Sequence, residues 1–274
     1  MNNILIATDF SEPSINAATY AVQLAKHTGA KVTFIYVYPM PVVATDMPVV
    51  LTSYDELDND SMATLKKTAD EISAKCNYTP ATDCLVSPGF LLESLTDVVR
   101  EKNFDLIVMG ITGAGALSER LIGSSATVVI RHLRCSTLVI PLSARFQPIH
   151  TIVFATDFEK IEHSSAIAQI KNLCTSFQSK LKIVNVIAPH QLLNYDKTVS
   201  GMLLDKIFDT IPHSIHLPEG DVVDGINKVI DEQNADLLIM IPRKHALFAD
   251  ILSERHTKKM AFHTHIPLLT IHEE

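Results

Sequence analysis

Residues 4–10 read ILIATDF and residues 152–158 read IVFATDF, two short β-branched runs that each close on Thr-Asp-Phe. They stand 152 − 4 = 148 positions apart. A second pair, FDLIVMG at 104–110 and ADLLIMI at 235–241, stands 235 − 104 = 131 apart. That offset holds without gaps from Gly89/Gly220 through Asn103/Asn234 and His132/His263 to Ile140/Ile271. Near the second strand one extra residue raises the offset to 149, pairing Lys31 with Lys180 and Val37 with Val186. The chain therefore contains itself twice. The copies differ in length by 148 − 131 = 17 residues, between the second strand and Gly89 or Gly220.

Periodicity gives both copies the same order of elements. ILIAT is a buried strand, and Ser11-Glu12-Pro13 starts a helix that runs to about Lys26. KVTFIYV is the second strand, a helix lies around 61–76, and TDCLV is the third strand. Phe90 to Lys102 is helical, DLIVM is the fourth strand, Ser124 to Leu133 the last helix and STLVI the fifth strand. Apolar runs without alternation suit strands covered on both faces. Strands alternating with helices imply an α/β fold, here two tandem doubly wound domains, each a five-stranded parallel sheet flanked by helices. The expected domains are 1–143 and 149–274, divided where Pro141 and Pro148 flank ARFQ. Segment 40–60 falls in the length peculiar to the first copy, as a surface loop before a helix or a flap over a ligand, with the loop favoured.

Composition narrows the classes. Hydrophobic residues at 47% and charged residues at 20% describe a chain that buries a core. No apolar run is long enough to span a bilayer, and MNNILIATDF lacks the basic and apolar regions of a secretory signal, so a cytoplasmic protein is expected. A net charge of −8 speaks against a broad nucleic-acid surface. Cys76, Cys84, Cys135 and Cys174 form no CxxC pair and read as reduced, structural thiols.

Residues 109–132, MGITGAGALSERLIGSSATVVIRH, hold four of the nine glycines. In an open parallel sheet ligands sit beyond the carboxyl ends of the strands, where the strand order reverses. The loop after strand one, with Thr8 and Asp9, and the loop after strand four, from Met109 and Gly110 on, should meet there. Gly110 and Gly113 would let backbone amides approach an anion. Gly123, Ser124 and Ser125 place free amides and hydroxyls at a helix start, where a phosphate is stabilised. Asp9 offers an acceptor to ribose hydroxyls or a base amino group. Tight turns and a plain N-cap explain the same residues equally well. Neither the dinucleotide fingerprint GxGxxG nor the P-loop GxxxxGK[ST] is present.

The residues resemble the universal stress protein family. Gly110, two residues, Gly113, nine residues, Gly123 and Ser124 match the G-x2-G-x9-G-[ST] of its nucleotide-binding members, and ATDFS at 7–11 matches its opening. The resemblance covers the whole chain as two copies and implies an adenine nucleotide alpha hydrolase-like fold. It implies ATP or another adenine nucleotide as ligand, in a stress-response protein. Asp9 and Val37 would face the adenosine, Gly110 the ribose, and Gly113, Gly123, Ser124 and Ser125 the phosphates, with Thr8 and Met109 as neighbours. Mg²⁺ held by Asp9 through the phosphates is the one conceivable metal. Family members associate through their last strands, and this chain can make that contact internally, through 136–140 and 267–271. An internal pseudo-dimer results, as a monomer or as a homodimer of pseudo-dimers, with protein partners unknown.

The second copy breaks the motif. With the offset of 131, Gly110 becomes Ile241, Gly113 becomes Lys244, Gly123 becomes Glu254 and Ser124 becomes Arg255. Side chains replace bare backbone, and the Glu254 carboxylate would repel phosphate. A domain of this kind can thus be built without the glycines, which suggests that they serve a ligand rather than the fold and predicts a single nucleotide site. Arg243, Lys244, His245, Arg255, His256, Lys258 and Lys259 form a solvated basic face or a site for a different anion. His263-x-His265 with His256 and His272 lacks the spacing and the cysteines of a zinc site. No catalytic residues stand out: Ser124 and Ser125 have no assignable His and Asp. A nucleotide-independent interaction scaffold and a slow ATPase remain the alternatives to a regulatory nucleotide-binding protein.

Overall fold

The computed structural model describes residues 1–39, 54–111, 124–158, 165–187, 195–242 and 265–272. The first half runs β1 (Asn3–Thr8), α1 (Glu12–Thr28), β2 (Lys31–Tyr38), α2 (Tyr54–Lys75), β3 (Thr82–Pro88), α3 (Leu91–Glu101), β4 (Leu106–Ile111), α4 (Ser124–His132) and β5 (Thr137–Pro141). The second runs β6 (Thr151–Ala155), α5 (Ser165–Phe177), β7 (Lys180–Val184), α6 (Tyr195–Ile207), β8 (His213–His216), α7 (Val222–Gln233), β9 (Leu237–Met240) and β10 (Leu268–Thr270). Among the described residues the strands form one sheet in the order β3-β2-β1-β4-β5-β10-β9-β6-β7-β8. Each half is a five-stranded parallel sheet, and the single antiparallel pair is β5 with β10.

The faces follow the two-residue alternation of a strand. In the first half Ile4, Ile6, Phe34 and Val108 pack beneath α1 and α2, while Leu5, Ala7, Ile35, Ile107 and Met109 pack with residues of α3 and α4. Both faces are covered, which is why these strands read as unbroken apolar runs. The registers reproduce the repeat: Asn3 pairs Lys31 as Thr151 pairs Lys180, and Ile4 pairs Leu106 as Ile152 pairs Leu237. Local devices recur as well. Asp105 Oδ2 accepts the backbone N–H groups of Asn2 and Asn3, and Asp236 Oδ2 accepts those of His150 and Thr151. Gly89 and Gly220 both sit at positive φ, 121° and 127°, turning the chain from a strand into α3 and α7.

Helix α2 begins at Tyr54, several residues ahead of the expected 61. Its first turns carry Glu56, Asp58 and Asp60, which show no apolar period but complement the positive end of the helix dipole. Part of the segment read as a loop is therefore helix, and Tyr38 Oη donates to Asp58 Oδ1 at 2.6 Å. Residues 40–53, where the flap was considered, lie outside the described residues.

At the junction Leu138 pairs with Leu269, its own counterpart at 138 + 131, flanked by Thr137 with Thr270 and Val139 with Leu268. A pseudo-twofold axis thus passes through the Leu138–Leu269 pair. Thr270 Oγ1 donates to the Thr137 carbonyl at 3.2 Å across it. The linker then folds back on α1. Asn16 Nδ2 donates to the carbonyls of Pro141 and Ala144, and Arg145 donates to Asn16 Oδ1 at 2.7 Å. Buried side chains beneath α1 and α5 form one core that crosses the junction. Leu138 is 4% exposed in it. Leu138→Ala should cost about 2–5 kcal/mol and lower the urea midpoint of the whole chain. A midpoint shift confined to one of two separate transitions would contradict the shared core.

Candidate functional site

The strand order reverses between β1 and β4, whose crossovers depart to opposite sides. In such sheets that reversal marks the end at which ligands sit, beyond the carboxyl ends of the strands. Alternation sorts the expected residues by face. Val37, half-buried, and Met109, 6% exposed, share the α3/α4 face. Thr8 and Gly110 belong to the opposite face, beneath α1. Ser124 opens α4, and Ser125 beside it is exposed, so the helix start presents amides and a hydroxyl. Gly113 and Gly123 lie outside the described residues.

Asp9 is exposed, with its carboxylate held rather than loose. Oδ1 accepts the Ser11 amide at 3.0 Å and the Ser11 hydroxyl at 2.5 Å. Ser11 sits at the N-cap of α1, but its side chain makes no capping bond and turns back to Asp9 instead. Burial pushes the Asp9 pKa up, and the hydrogen bonds, led by the Ser11 hydroxyl and amide, outweigh it, leaving the group below its ordinary 3.8. The carboxylate is thus fixed and anionic, suited to a ligand hydroxyl or amino group and repulsive to a phosphate.

The Thr8 hydroxyl is spoken for. It lies 3.0 Å from Ser14 Oγ, which in turn donates to the Ser11 carbonyl, and it accepts the Phe10 amide at 3.1 Å. These bonds hold Phe10 at a left-handed φ of 63°, a conformation costing a bulky residue about 1–2 kcal/mol. The Phe10 ring packs on Tyr36 with centroids 4.6 Å apart. Thr8 therefore shapes the turn that presents Asp9.

Gly110 answers differently from the expectation that the glycines serve a ligand. A Cβ there would stand 2.2 Å from the Pro13 carbonyl oxygen and 2.8 Å from the Ser14 nitrogen. The first turn of α1 lies directly on the bare backbone, so this glycine is a packing requirement of the first half. The counterpart Ile241 misled the comparison. The residues matching the first turn of α1 fall at 159–164, outside the described residues, and α5 begins at Ser165.

The matching residues of the second half are more buried. Val186, the counterpart of Val37, is 3% exposed, and Asp157, the counterpart of Asp9, is 7% exposed. Gly225 stands where the first half has Ser94, and a Cβ on it would meet both Val186 methyls at 2.9 Å. The missing side chain lets α7 settle onto Val186. Asn185 replaces Tyr36, donating from Nδ2 to the Thr156 carbonyl at 2.8 Å, while its Oδ1 is buried without a partner.

The basic stretch from Arg243 to Lys259, with His256 and His263, lies outside the described residues. His265 pairs with Asp231 at 3.6 Å. The four thiols are unpaired, and burial pushes those of Cys135 and Cys174 up to about 12. Ser11, Ser14 and Pro13 are the site-forming residues that sequence reading did not single out. The D-x-S spacing of Asp9 and Ser11, the pattern of a side chain bonding its own backbone two residues on, was the available signal.

The sequence profile of the Universal stress protein family matches residues 1–141 and again 148–272. Universal stress protein Slr1230 of Synechocystis sp. is 24% identical over 303 residues, covering 98% of this chain and 99% of its own. Universal stress protein MJ0531 of Methanocaldococcus jannaschii is 32% identical over 142 residues, 50% of this chain and 80% of that one. The crystal structure of a universal stress protein from Archaeoglobus fulgidus superposes with a TM-score of 0.77 at 17% identity, covering 100% and 99% of the two chains.

Two predictions follow from the geometry of the site. Gly110→Ala should destabilise the ligand-free protein by about 1–3 kcal/mol; an unchanged urea midpoint would remove the packing role. The depressed pKa of Asp9 contributes stability that is present above pH 3.8 and is lost as pH falls through its lower folded value. Asp9→Asn should therefore be less stable than the parent at neutral pH, and the difference should shrink as pH falls below 3.8. A gap that is undiminished in acid contradicts the assignment.

Proposed function

The chain belongs to the universal stress protein family, and from that premise we propose that it is a cytoplasmic stress-response protein that binds ATP, or another adenine nucleotide, in its first domain only. Residues 1–143 form the binding domain and residues 149–274 a domain with a degenerate site. The carrying observation is the inequality of the two crevices. In the first, Val37 is half-buried at the mouth and a fixed, exposed Asp9 carboxylate stands beside it. In the second, Val186 and Asp157 are buried, and α7 packs closely on Val186 at Gly225.

The chemistry divides accordingly. The apolar surface of Val37 and Met109 suits the face of a base. Asp9 suits the hydroxyl or amino donors of the nucleoside. The amides at the start of α4, with Ser124 and Ser125, suit the phosphates, together with Gly113 and Gly123 of the preceding motif. Among the described residues no side chain in this arrangement is placed as a general base, and the reading proposed is of binding. Four unpaired thiols fit a reducing compartment. No helix among the described residues is long and apolar enough to cross a membrane.

Calorimetric titration with ATP tests the proposal. The parent protein should bind one equivalent per chain. Gly123→Glu, which places a carboxylate at the helix start, should lose at least about tenfold in affinity, or 1.4 kcal/mol. Two equivalents per chain would overturn the single site, and equal, negligible affinity in both proteins would overturn binding altogether.

A further inference from the structure

The pseudo-twofold axis at Leu138–Leu269 generates two related grooves, each between the first helix of one half and strand ends at the junction. They have diverged. In one, the linker runs along α1 from Pro141 to His150, its Phe146 ring packing edge-on to Tyr20 with centroids 5.2 Å apart. In the other, between α5, the end of β10 and the starts of β1 and β4, a cleft of about 730 Å³ remains. It opens at the amino ends of β1 and β4, the opposite end of those strands from Asp9 and Gly110.

The two helices correspond with an offset of 180 − 31 = 149, fixed by Lys31 and Lys180 opening the strands that follow them. Their left-handed terminal residues, Gly29 and Gln178, stand the same 178 − 29 = 149 apart. Gln169 therefore holds the place of Tyr20, and Ser176 the place of His27. Polar residues stand where the sealed groove has aromatic ones. Gln169 Oε1 accepts the Ser136 hydroxyl at 2.9 Å, across the two halves.

The lining combines a cation with apolar surface. Arg134 is exposed and makes no hydrogen bond or ion pair among the described residues. Asp105, the acid of the lining, already accepts two backbone N–H groups. Burial pushes the His272 pKa below its ordinary 6.5, reinforced by Arg134 and opposed by a hydrogen bond with the Ile130 backbone. Leu173, Ile271 and Phe177 supply the apolar wall, with the His27 ring stacked on Phe177 at 4.5 Å and 7°. A cleft of this size at a domain junction, with an apolar wall and one convergent charge, has the features of a small-molecule site.

We propose that this cleft binds a small organic anion with an apolar body, an aryl or acyl carboxylate or sulfonate. Its charge lies at Arg134, its body lies along Leu173 and Phe177, and Gln169 and Asn172 supply further polar contacts. Because both halves line the cleft, its occupant ties them together independently of the nucleotide crevice.

Fluorescence titration with 8-anilinonaphthalene-1-sulfonate, which carries a sulfonate on an aryl body, tests this. The parent protein should show a saturable enhancement at one equivalent per chain, unchanged by excess ATP. Arg134→Glu, at an exposed position that does not threaten folding, should weaken binding at least about tenfold. Gln169→Tyr, which restores the ring found in the sealed groove, should do the same. Absence of a saturable signal, displacement by ATP, or affinity unchanged in both variants overturns the proposal. The saturation and variant arms do not depend on whether ATP itself binds, which the ATP titration reads separately.

Discussion

Strand β5 is buried at all five of its positions, Thr137 to Pro141, although in an isolated five-stranded domain it would be an edge. An apolar edge strand with unpaired backbone groups is a template for unwanted association. Here β10 pairs with it, and the pairing is isologous: Leu138 meets its own counterpart Leu269. The rest of the molecule depends on that contact. Because the pair is antiparallel, the two halves point in opposite directions and the carboxyl ends of their parallel strands face opposite ends of the sheet. The two crevices cannot share a ligand. Each can change without altering the other.

Inside the first half the crevice depends on the first turn of α1. Ser14 anchors Thr8, Ser11 anchors Asp9, and Pro13 lies on Gly110. Residues that look like a ligand motif in sequence are thus also the joints by which a helix is set on a sheet. A glycine at the end of β4 is needed by the neighbouring backbone whether or not a nucleotide arrives. The fixed Asp9 carboxylate is a by-product of the same turn, presented to the ligand without further ordering cost. Shared duty of this kind means that loss of binding on mutating Gly110 would not separate contact from collapse.

The tandem fold was legible because buried parallel strands leave unbroken apolar runs, and the repeat fixed their registers through Lys31/Lys180 and Leu106/Leu237. The start of α2 was not, since Glu56 to Asp60 signal a helix only through the dipole, and apolar periodicity is blind to it. Thr8 and Asp9 were correctly gathered at the end of β1. What sequence could not show is that the Thr8 hydroxyl turns away to Ser14, because partner choice is decided by the three-dimensional crossing of α1. Likewise Gly225 looks like a helix-weakening residue until Val186 is found beneath it.

Both halves keep Phe at left-handed φ after the Thr-Asp pair, Phe10 at 63° and Phe158 at 66°, each with its amide donating to the preceding threonine hydroxyl. If that strained turn existed to present a ligand-binding aspartate, the half with the buried aspartate would have no reason to retain it. Its persistence identifies the turn as the device that takes the chain out of the central strand of each half. The Thr-Asp-Phe signature therefore marks the fold, and the function lies in what surrounds the aspartate. Where the neighbouring valine is half-buried and the carboxylate exposed, a ligand can reach both. In the second half Val186 and Asp157 are buried, and the same turn is kept.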